Sequence, residues 1–222
     1  MRTLLIFWTL LLLAGCKKEE PAPTEPAPPP PVLAEKSGGK PVIVAFGDSL
    51  TAGFGVEAGL SYPDFLQKEL DKAGYQYKVA NEGISGDTSS GGASRVATVL
   101  AHKPEIVILE LGANDGLRGI PVEQTRDNLD RILTELKNAG AKVLLAGITL
   151  PRNYGQDYIR SFDKIYPELA KKHDVPLLPF LLEGVALKPK LMQKDALHPT
   201  AEGNQIVAGN VMRALQPLLS KR

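Results

Sequence analysis

From Pro41 onward, short apolar runs alternate with longer segments in which apolar residues recur at helical spacing. The short runs, which predict strands, lie at 42–46, 77–80, 106–111, 143–148 and 175–178. Three of them are continuously apolar, as expected for strands that are covered on both faces. The longer segments predict helices at 62–73, 91–101, 122–139, 158–173 and 199–215. This alternation predicts an α/β fold, a three-layer α/β/α sandwich around a five-stranded, mostly parallel sheet.

The first 40 residues do not follow this pattern. Arg2, an apolar run at 4–13 and two small residues have the layout of an export signal. The run is shorter than the roughly 20 apolar residues that a membrane span needs. Seven prolines follow within 17–40, a composition that favours an extended spacer over a core. We therefore expect a signal peptide at 1–15, a linker at 16–40 and one folded domain at 41–222.

Cys16 is the only cysteine of the chain, so the fold must hold without an internal disulfide. The stretch Leu-Ala-Gly-Cys at 13–16 resembles a bacterial lipobox, in which the cysteine is lipidated and becomes the mature N-terminus. A plain secretory signal with a cysteine near its cleavage site is the alternative. The lipobox implies a membrane-anchored lipoprotein of the cell envelope that faces the periplasm or the exterior. Lys17 after the cysteine favours the outer membrane, by resemblance to known sorting.

Charge and composition exclude one class of partner. The chain has 26 basic and 25 acidic residues, and 6% of its residues are aromatic. Nucleic-acid binding needs a concentrated basic surface, and single-strand binding adds aromatic stacking platforms. We therefore expect no nucleic-acid partner.

Polar motifs follow three of the predicted strands, where the active site of a parallel sheet lies. Ser49, in Gly-Asp-Ser-Leu, stands at a strand-to-helix junction, where its N–H can stabilise negative charge. Gly86, in Ser-Gly-Asp-Thr, allows close approach of the backbone to a substrate. Asn114, in Gly-Ala-Asn-Asp-Gly, can donate its amide hydrogens to an oxyanion. Each motif alone also fits a helix cap or a simple turn.

A fourth motif places Asp195 three residues before His198, which Pro199 follows. A histidine accepts a proton from serine when a carboxylate holds its other ring N–H. The competing histidines, His102 and His173, lie at the ends of predicted helices, where a cation is favourable without catalysis. The alternative is that the aspartate caps the last helix and His198 is a surface residue.

In this order the motifs resemble the GDSL, or SGNH, hydrolase superfamily, over the chain from Val42 to about Leu219. The stretches at 85–88, 112–119 and 166–170 are similar to bacterial arylesterases and to the multifunctional thioesterase I/lysophospholipase group. The resemblance implies a flavodoxin-like fold and no metal or organic cofactor.

The same resemblance implies the role of each site residue. Ser49 would be the nucleophile, and Asp195 and His198 would complete its triad. The oxyanion hole would consist of the Ser49 N–H, the Gly86 N–H and the Asn114 amide. Asp48, Asp87 and Asp115 lie near the same sheet edge without a histidine close in sequence, and we expect them to fix loops.

The expected activity is hydrolysis of carboxylic esters through an acyl-enzyme on Ser49, with aryl or short-to-medium acyl esters, acyl thioesters and lysophospholipids as substrates. A carbohydrate or cell-wall acetylesterase with the same triad is the first alternative. A non-catalytic envelope binding module is the second, and the presence of all three triad residues disfavours it.

The segment 115–120 contains two glycines and predicts a mobile loop over the acyl site. Leu117 and Ile120 would touch the acyl chain, whereas Arg118 would face solvent or an anionic leaving group. Three aromatic residues would stack on sugar or line the acyl pocket: Tyr154, Tyr158 and Phe162.

Overall fold

Five parallel strands form the centre of the domain, in the order β2-β1-β3-β4-β5. The strands are β1 (Val42–Gly47), β2 (Lys78–Gly83), β3 (Ile106–Glu110), β4 (Lys142–Ala146) and β5 (Leu177–Leu178). The computed structural model describes residues 39–221, so the predicted signal peptide, Cys16 and nearly all of the linker lie outside the described residues. The predicted α/β sandwich is confirmed, and every strand pair in it is parallel.

Helices cover both faces of the sheet. They are α1 (Ser49–Ala52), α2 (Tyr62–Lys72), α3 (Ser89–Ser94), α4 (Val96–Ala101), α5 (Ala113–Leu117), α6 (Val122–Asn138), α7 (Gln156–Asp163), α8 (Ile165–His173) and α9 (Ala201–Leu215), with 3₁₀ turns at Arg152–Tyr154 and Gln216–Leu218. In one layer α2 packs against α9, and in the other layer α6 packs against α3, α4 and α8. Within residues 39–221, no helix is long and apolar enough to cross a membrane.

The neighbouring strands β1 and β3 lie at the centre of the hydrophobic core. Residues Ile43 to Phe46 of β1 and all of β3 are completely buried. Such strands read as continuous apolar runs because helices cover them on both faces. Glu110, at the end of β3, is the only charged residue of that strand and lies beside Gly47 of β1.

Two predicted helices are each divided in two. The segment 91–101 breaks at Arg95, whose guanidinium turns back to donate to the carbonyls of Gly47 (2.9 Å) and Glu82 (2.9 Å). The segment 158–173 breaks at Lys164. Pro167 has no N–H to donate to the carbonyl four residues earlier, so a continuous helix is disfavoured there.

The edge of the sheet at its carboxyl end has a crevice between β1 and β3. The chain leaves β1 toward α2 in one layer and leaves β3 toward α6 in the other. Where neighbouring parallel strands diverge in this way, their loops separate and leave room for a ligand. The first and third motifs of the sequence follow β1 and β3.

Candidate active site

Ser49 is the first residue of α1 and follows β1 directly after Asp48. Asp48 caps this helix, because its carboxylate accepts from the N–H of Leu50 at 3.0 Å. At the first helical position the Ser49 N–H has no acceptor within the helix. The local sequence thus leaves both the hydroxyl and the N–H of Ser49 available to a substrate.

His198 joins Ser49 and Asp195 through its two ring nitrogens. Nε2 lies 2.9 Å from Ser49 Oγ, and Nδ1 lies 2.7 Å from Asp195 Oδ2. The other carboxylate oxygen, Oδ1, accepts from the backbone N–H groups of Leu197 (2.9 Å) and His198 (3.1 Å). One aspartate therefore fixes the turn and the imidazole together.

The charge of Asp195 suits this arrangement. Partial burial raises its pKa, but the hydrogen bonds from the His198 ring and from the N–H groups of Leu197 and His198 outweigh that effect and lower the pKa below its ordinary value. Asp195 is therefore an anion at neutral pH. Phe54 covers the opposite side of the imidazole, with the ring centroids 4.6 Å apart.

Gly86 and Asn114 both lie beside Ser49 on the wall of one cavity. Gly86 has a φ of +82°, which side chains with a Cβ rarely adopt, and its carbonyl accepts from Arg118 at 2.9 Å. The Asn114 amide donates to Asp48 Oδ2 at 3.1 Å and to the carbonyl of Asp87 at 2.9 Å. Both amide hydrogens of Asn114 are thus engaged within the protein.

Two buried carboxylates, Asp48 and Glu110, form a pair near Ser49 that the sequence did not predict. Glu110 is completely buried, and its Oε2 accepts from Thr51 Oγ1 at 2.9 Å and from the Asp48 N–H at 3.4 Å. Burial raises the pKa of Asp48 to about 6 and raises the pKa of Glu110 well above its ordinary value. Glu110 Oε1 is buried and has no hydrogen-bond partner among the described residues. A charged residue at the end of an apolar strand is the one sequence signal for this pair.

The other two carboxylates fix loops, as their positions predicted. The Asp87 carboxylate forms an ion pair with Arg95, with 2.7 Å between Asp87 Oδ2 and Arg95 Nε. Asp115 is buried and accepts from the N–H of Ser89 at 2.8 Å, which ties the start of α3 to α5. The loops that carry Gly86 and Asn114 are therefore joined to each other.

The cavity has a volume of about 1160 Å³, and most of its wall is apolar. Besides the triad residues, Gly86 and Asn114, its wall includes Leu50, Leu117, Ile148, Leu150, Phe180 and Met192. The segment 180–192 contributes much of this wall, and the sequence contained no motif that marked it.

The structure separates the two predicted acyl-contact residues. Leu117 lines the cavity, but Ile120 does not. The segment predicted as a loop is helical as far as Leu117, and the chain then turns at Gly119, whose φ is +65°. Ile120 lies beyond this turn, and its carbonyl accepts from the Tyr158 hydroxyl at 2.7 Å. The prediction for Ile120 as a wall residue is wrong for this reason.

The three aromatic candidates are also outside the cavity wall. Tyr154 donates to the carbonyl of Leu117 at 3.0 Å, Tyr158 binds the carbonyl of Ile120, and Phe162 is completely buried. None of the three aromatic side chains lines the cavity. The other histidines pair with carboxylates away from the cavity, His102 with Glu82 at 2.7 Å and His173 with Asp130 at 2.6 Å.

A parallel sheet in this order, with a hydrogen-bonded serine, histidine and aspartate at its carboxyl edge, defines a serine hydrolase of three-layer α/β fold. The chain matches the model of the GDSL-like Lipase/Acylhydrolase family over residues 45–206 and belongs to that family. Together with the relatives below, this makes the chain a serine esterase.

Known proteins are similar over most of the chain. "Thioesterase 1/protease 1/lysophospholipase L1" of Escherichia coli (strain K12) is 43% identical over 190 residues, 85% of this chain and 90% of that protein. "Arylesterase" of Vibrio mimicus is 41% identical over 174 residues, 78% of this chain and 87% of that protein. The crystal structure of AlinE4, an SGNH-hydrolase family esterase, matches with a TM-score of 0.69 and 45% identity, and covers 82% of this chain and 98% of its own.

Proposed function

We propose that Ser49, His198 and Asp195 hydrolyse carboxylic esters by two-step acyl transfer. The observation that carries this proposal is the unbroken pair of hydrogen bonds, 2.9 Å from Ser49 Oγ to His198 and 2.7 Å from His198 to Asp195. His198 Nε2 takes the hydroxyl proton as Oγ attacks the carbonyl carbon, and the imidazolium then protonates the departing alcohol or thiol. Water hydrolyses the acyl-enzyme by the same route. Asp195 stabilises the imidazolium and holds its tautomer.

The oxyanion of this reaction would be held by the N–H groups of Ser49 and Gly86 and by the side chain of Asn114. Asn114 has two amide hydrogens, and both now donate to protein oxygens. One of them turns to the oxyanion when the substrate binds, and Asp48 retains the other. The amide therefore stays oriented while it donates.

The apolar wall favours substrates with an apolar acyl or aryl group. We propose aryl and short-to-medium acyl esters, with acyl thioesters and lysophospholipids as further substrates, and the names of the relatives from Escherichia coli and Vibrio mimicus support this range. Apolar burial contributes about 0.8 kcal/mol per methylene, so a wall of leucine, isoleucine, phenylalanine and methionine selects acyl chains. An acetylated sugar would leave most of this wall unmatched.

A lipid anchor on Cys16 would hold the esterase at the cell envelope, with the outer membrane favoured. The support for this part of the proposal is the lipobox-like sequence at 13–16 and the proline-rich linker after it. The linker is long enough to separate the domain from a membrane.

The triad is tested by comparing single and double variants. Ser49→Ala should abolish acyl-enzyme formation and labelling by a fluorophosphonate probe, and His198→Ala should leave comparably little turnover. The double variant should be hardly worse than either single one, because the two groups act on one proton path. Asp195→Ala should be milder. Folded His198→Ala protein with the parental kcat would contradict this mechanism, and thermal unfolding of the same samples controls for stability.

A substrate panel tests the specificity. p-Nitrophenyl esters of increasing acyl length, acyl-CoA thioesters and lysophospholipids are compared with acetylated xylan on the same enzyme. We expect kcat/KM to be higher for the acyl substrates than for the glycan. A preference for the glycan would favour the carbohydrate acetylesterase instead.

A further inference from the structure

The exposed apolar side chains of the domain gather at the mouth of the cavity. Within residues 39–221, the large apolar side chains that are exposed are Phe54, Ile84, Leu187, Leu197 and Ile206. Phe54, Leu187 and Leu197 border the cavity, and Ile84 precedes Ser85, which also borders it. Three of these five exposed side chains therefore border one opening. Contiguous exposed apolar groups around a site mark a surface that meets another apolar phase.

Leu187 is the most prominent of them, with 91% of its surface exposed. Its φ is +64°, a conformation that is uncommon for a branched residue. Backbone hydrogen bonds on either side hold the turn, from Ala186 N–H to Leu182 at 3.0 Å and from Lys188 N–H to Val185 at 3.1 Å. The fold thus maintains an unfavourable backbone conformation that presents a leucine to solvent.

Exposed cations follow Leu187 along the chain. Lys188 and Lys190 are exposed on either side of the turn at Pro189, and Lys194 is exposed just before Asp195. Their amino groups have no partner among the described residues. Two arginines add to this charge, since Arg152 lines the cavity and Arg118 binds the carbonyl of Gly86.

Few acidic groups oppose these cations in the same part of the chain. Between residues 180 and 198 the acidic side chains are Glu183 and Asp195, and Asp195 is engaged by His198. The opening therefore combines protruding apolar side chains with unpaired positive charge. This combination matches a surface with an apolar interior and anionic headgroups.

We propose that this rim, formed by Phe54, Leu187 and Leu197 with the lysines 188, 190 and 194, docks onto an anionic lipid surface. The apolar side chains enter the boundary between headgroups and acyl chains, and the lysines bind the headgroups. Because the cavity opens between them, an ester of the lipid layer reaches Ser49 without crossing water. This inference rests on the proposed function, since it supplies the route by which lipid esters reach the triad.

Protruding side chains favour a lipid layer over a protein partner. A protein partner would need matching pockets for separate side chains, whereas a fluid layer accommodates them directly. An acidic protein is the alternative that the experiment must separate.

The experiment measures vesicle binding by the domain Gly39–Arg222, which forms one compact unit with its own core. The structure of AlinE4, 98% of which aligns with this chain, indicates that a domain of this extent folds by itself. Sedimentation with phosphatidylcholine vesicles that contain phosphatidylglycerol should remove the domain from solution. Vesicles of phosphatidylcholine alone should bind it more weakly, and added salt should weaken binding to the anionic vesicles.

Two variants test the two parts of the rim. Leu187→Ser should weaken binding by roughly 10- to 100-fold, the effect of leaving one leucine unburied. Ile206→Ser, an exposed apolar residue away from the cavity, is the matched control and should bind as the parent does. Lys188→Gln with Lys190→Gln should lower binding by about 25-fold, about fivefold for each cation, with p-nitrophenyl acetate hydrolysis unchanged. Phe54 and Leu197 are unsuitable, because Phe54 touches the His198 ring and the backbone N–H of Leu197 donates to the Asp195 carboxylate.

Vesicle binding does not require ester hydrolysis, so the experiments can contradict the docking surface and the proposed esterase mechanism independently of each other. Ser49→Ala should bind vesicles like the parent while it hydrolyses nothing. A parent domain that hydrolyses esters but ignores phosphatidylglycerol vesicles would overturn the docking surface, whatever acidic protein it bound. Equal binding by the parent and Leu187→Ser would overturn it as well.

Discussion

Asp48 connects three parts of the site through one side chain. It caps α1 at the Leu50 N–H, it holds the Asn114 amide, and it faces the buried Glu110. Burial raises the pKa of both carboxyl groups, and the charge of Asp48 raises the pKa of Glu110 further. The orientation of the Asn114 amide, the proposed oxyanion donor, therefore depends on a pair of acids rather than on Asn114 alone.

Asn114→Ala should lower kcat by about 10²–10³, because one donor to the oxyanion is lost. KM for a soluble ester should change much less, since the ground-state carbonyl binds this donor weakly. Asn128→Ala is a suitable control, because Asn128 donates to Ser89 Oγ and lies outside the cavity wall. A near-parental kcat in folded Asn114→Ala protein would remove this residue from the mechanism.

Glu110→Gln should change how stability depends on pH. In the folded state the raised pKa values keep protons on these acids that the unfolded chain has released, so the free energy of unfolding falls as pH rises. For Asp48 this decline runs from its ordinary value of 3.8 to about 6, and for Glu110 it starts near 4.5 and extends well above it. A glutamine cannot ionise, so Tm of the variant should decline less with rising pH.

The measurement is Tm of parent and Glu110→Gln from mildly acidic to alkaline pH. Glu183→Gln, a change at an exposed carboxylate, should leave the slope as it is in the parent. Parallel curves for the parent and Glu110→Gln would show that Glu110 ionises alike in the folded and unfolded states.

At the scale of elements, the active site depends on two short helices that start beside each other. Asp115 in the first turn of α5 binds the N–H and the hydroxyl of Ser89, the first residue of α3. This buried carboxylate at the start of one helix accepts from the first N–H of the other, which has no acceptor within its own helix. Gly86 lies just before α3, and Asn114 lies in the first turn of α5. The contact between the two helix starts therefore fixes the distance between Gly86 and Asn114.

Leu117→Ala should change the preference of the esterase for acyl length, because Leu117 lines the cavity. Each methylene that loses its contact reduces the selectivity for longer chains by about 0.8 kcal/mol, or roughly fourfold. Ile120→Ala is the matched control, since Ile120 lies three residues further on and outside the cavity wall. The readout is kcat/KM across p-nitrophenyl esters, and identical profiles for parent and Leu117→Ala would place the acyl pocket elsewhere.

At the scale of the molecule, the strand order explains where the catalytic groups meet. Ser49 follows β1, Asn114 follows β3, and these strands are neighbours whose connections leave to opposite layers. His198 reaches the same edge from the turn before α9, a helix of the layer that contains α2. A single parallel sheet thus brings residues 149 positions apart into hydrogen-bond distance.

Cys16→Ser should release the protein from membranes that are washed with salt, because the cysteine would no longer carry a lipid and salt weakens the charge-dependent docking of the domain. The specific activity of the released protein on a soluble ester should match that of the parent. Fractionation of cells that produce each form is the measurement. Unchanged association of Cys16→Ser with salt-washed membranes would contradict lipidation.

Several features of this protein follow from its sequence alone. Short apolar runs predicted all five strands, and three of these runs are continuously apolar, as expected for strands that are covered on both faces. The family followed from the serine, glycine, asparagine and Asp-x-x-His motifs, since each is a local pattern after a predictable element. The triad roles stay predictions, although the residues concerned do meet in the structure.

The remaining features were decided by the tertiary structure. Leu117 and Ile120 look equivalent in the sequence, but a turn at Gly119 places one on the cavity wall and the other behind it. Glu110 ends an ordinary apolar strand, and only the packing of β3 against β1 buries it beside Asp48. The helix break at Arg95 depends on carbonyl groups of two strands far away in the chain. For Glu110 and Arg95 the deciding contacts are made by residues of other strands, which no local pattern of polar and apolar positions encodes.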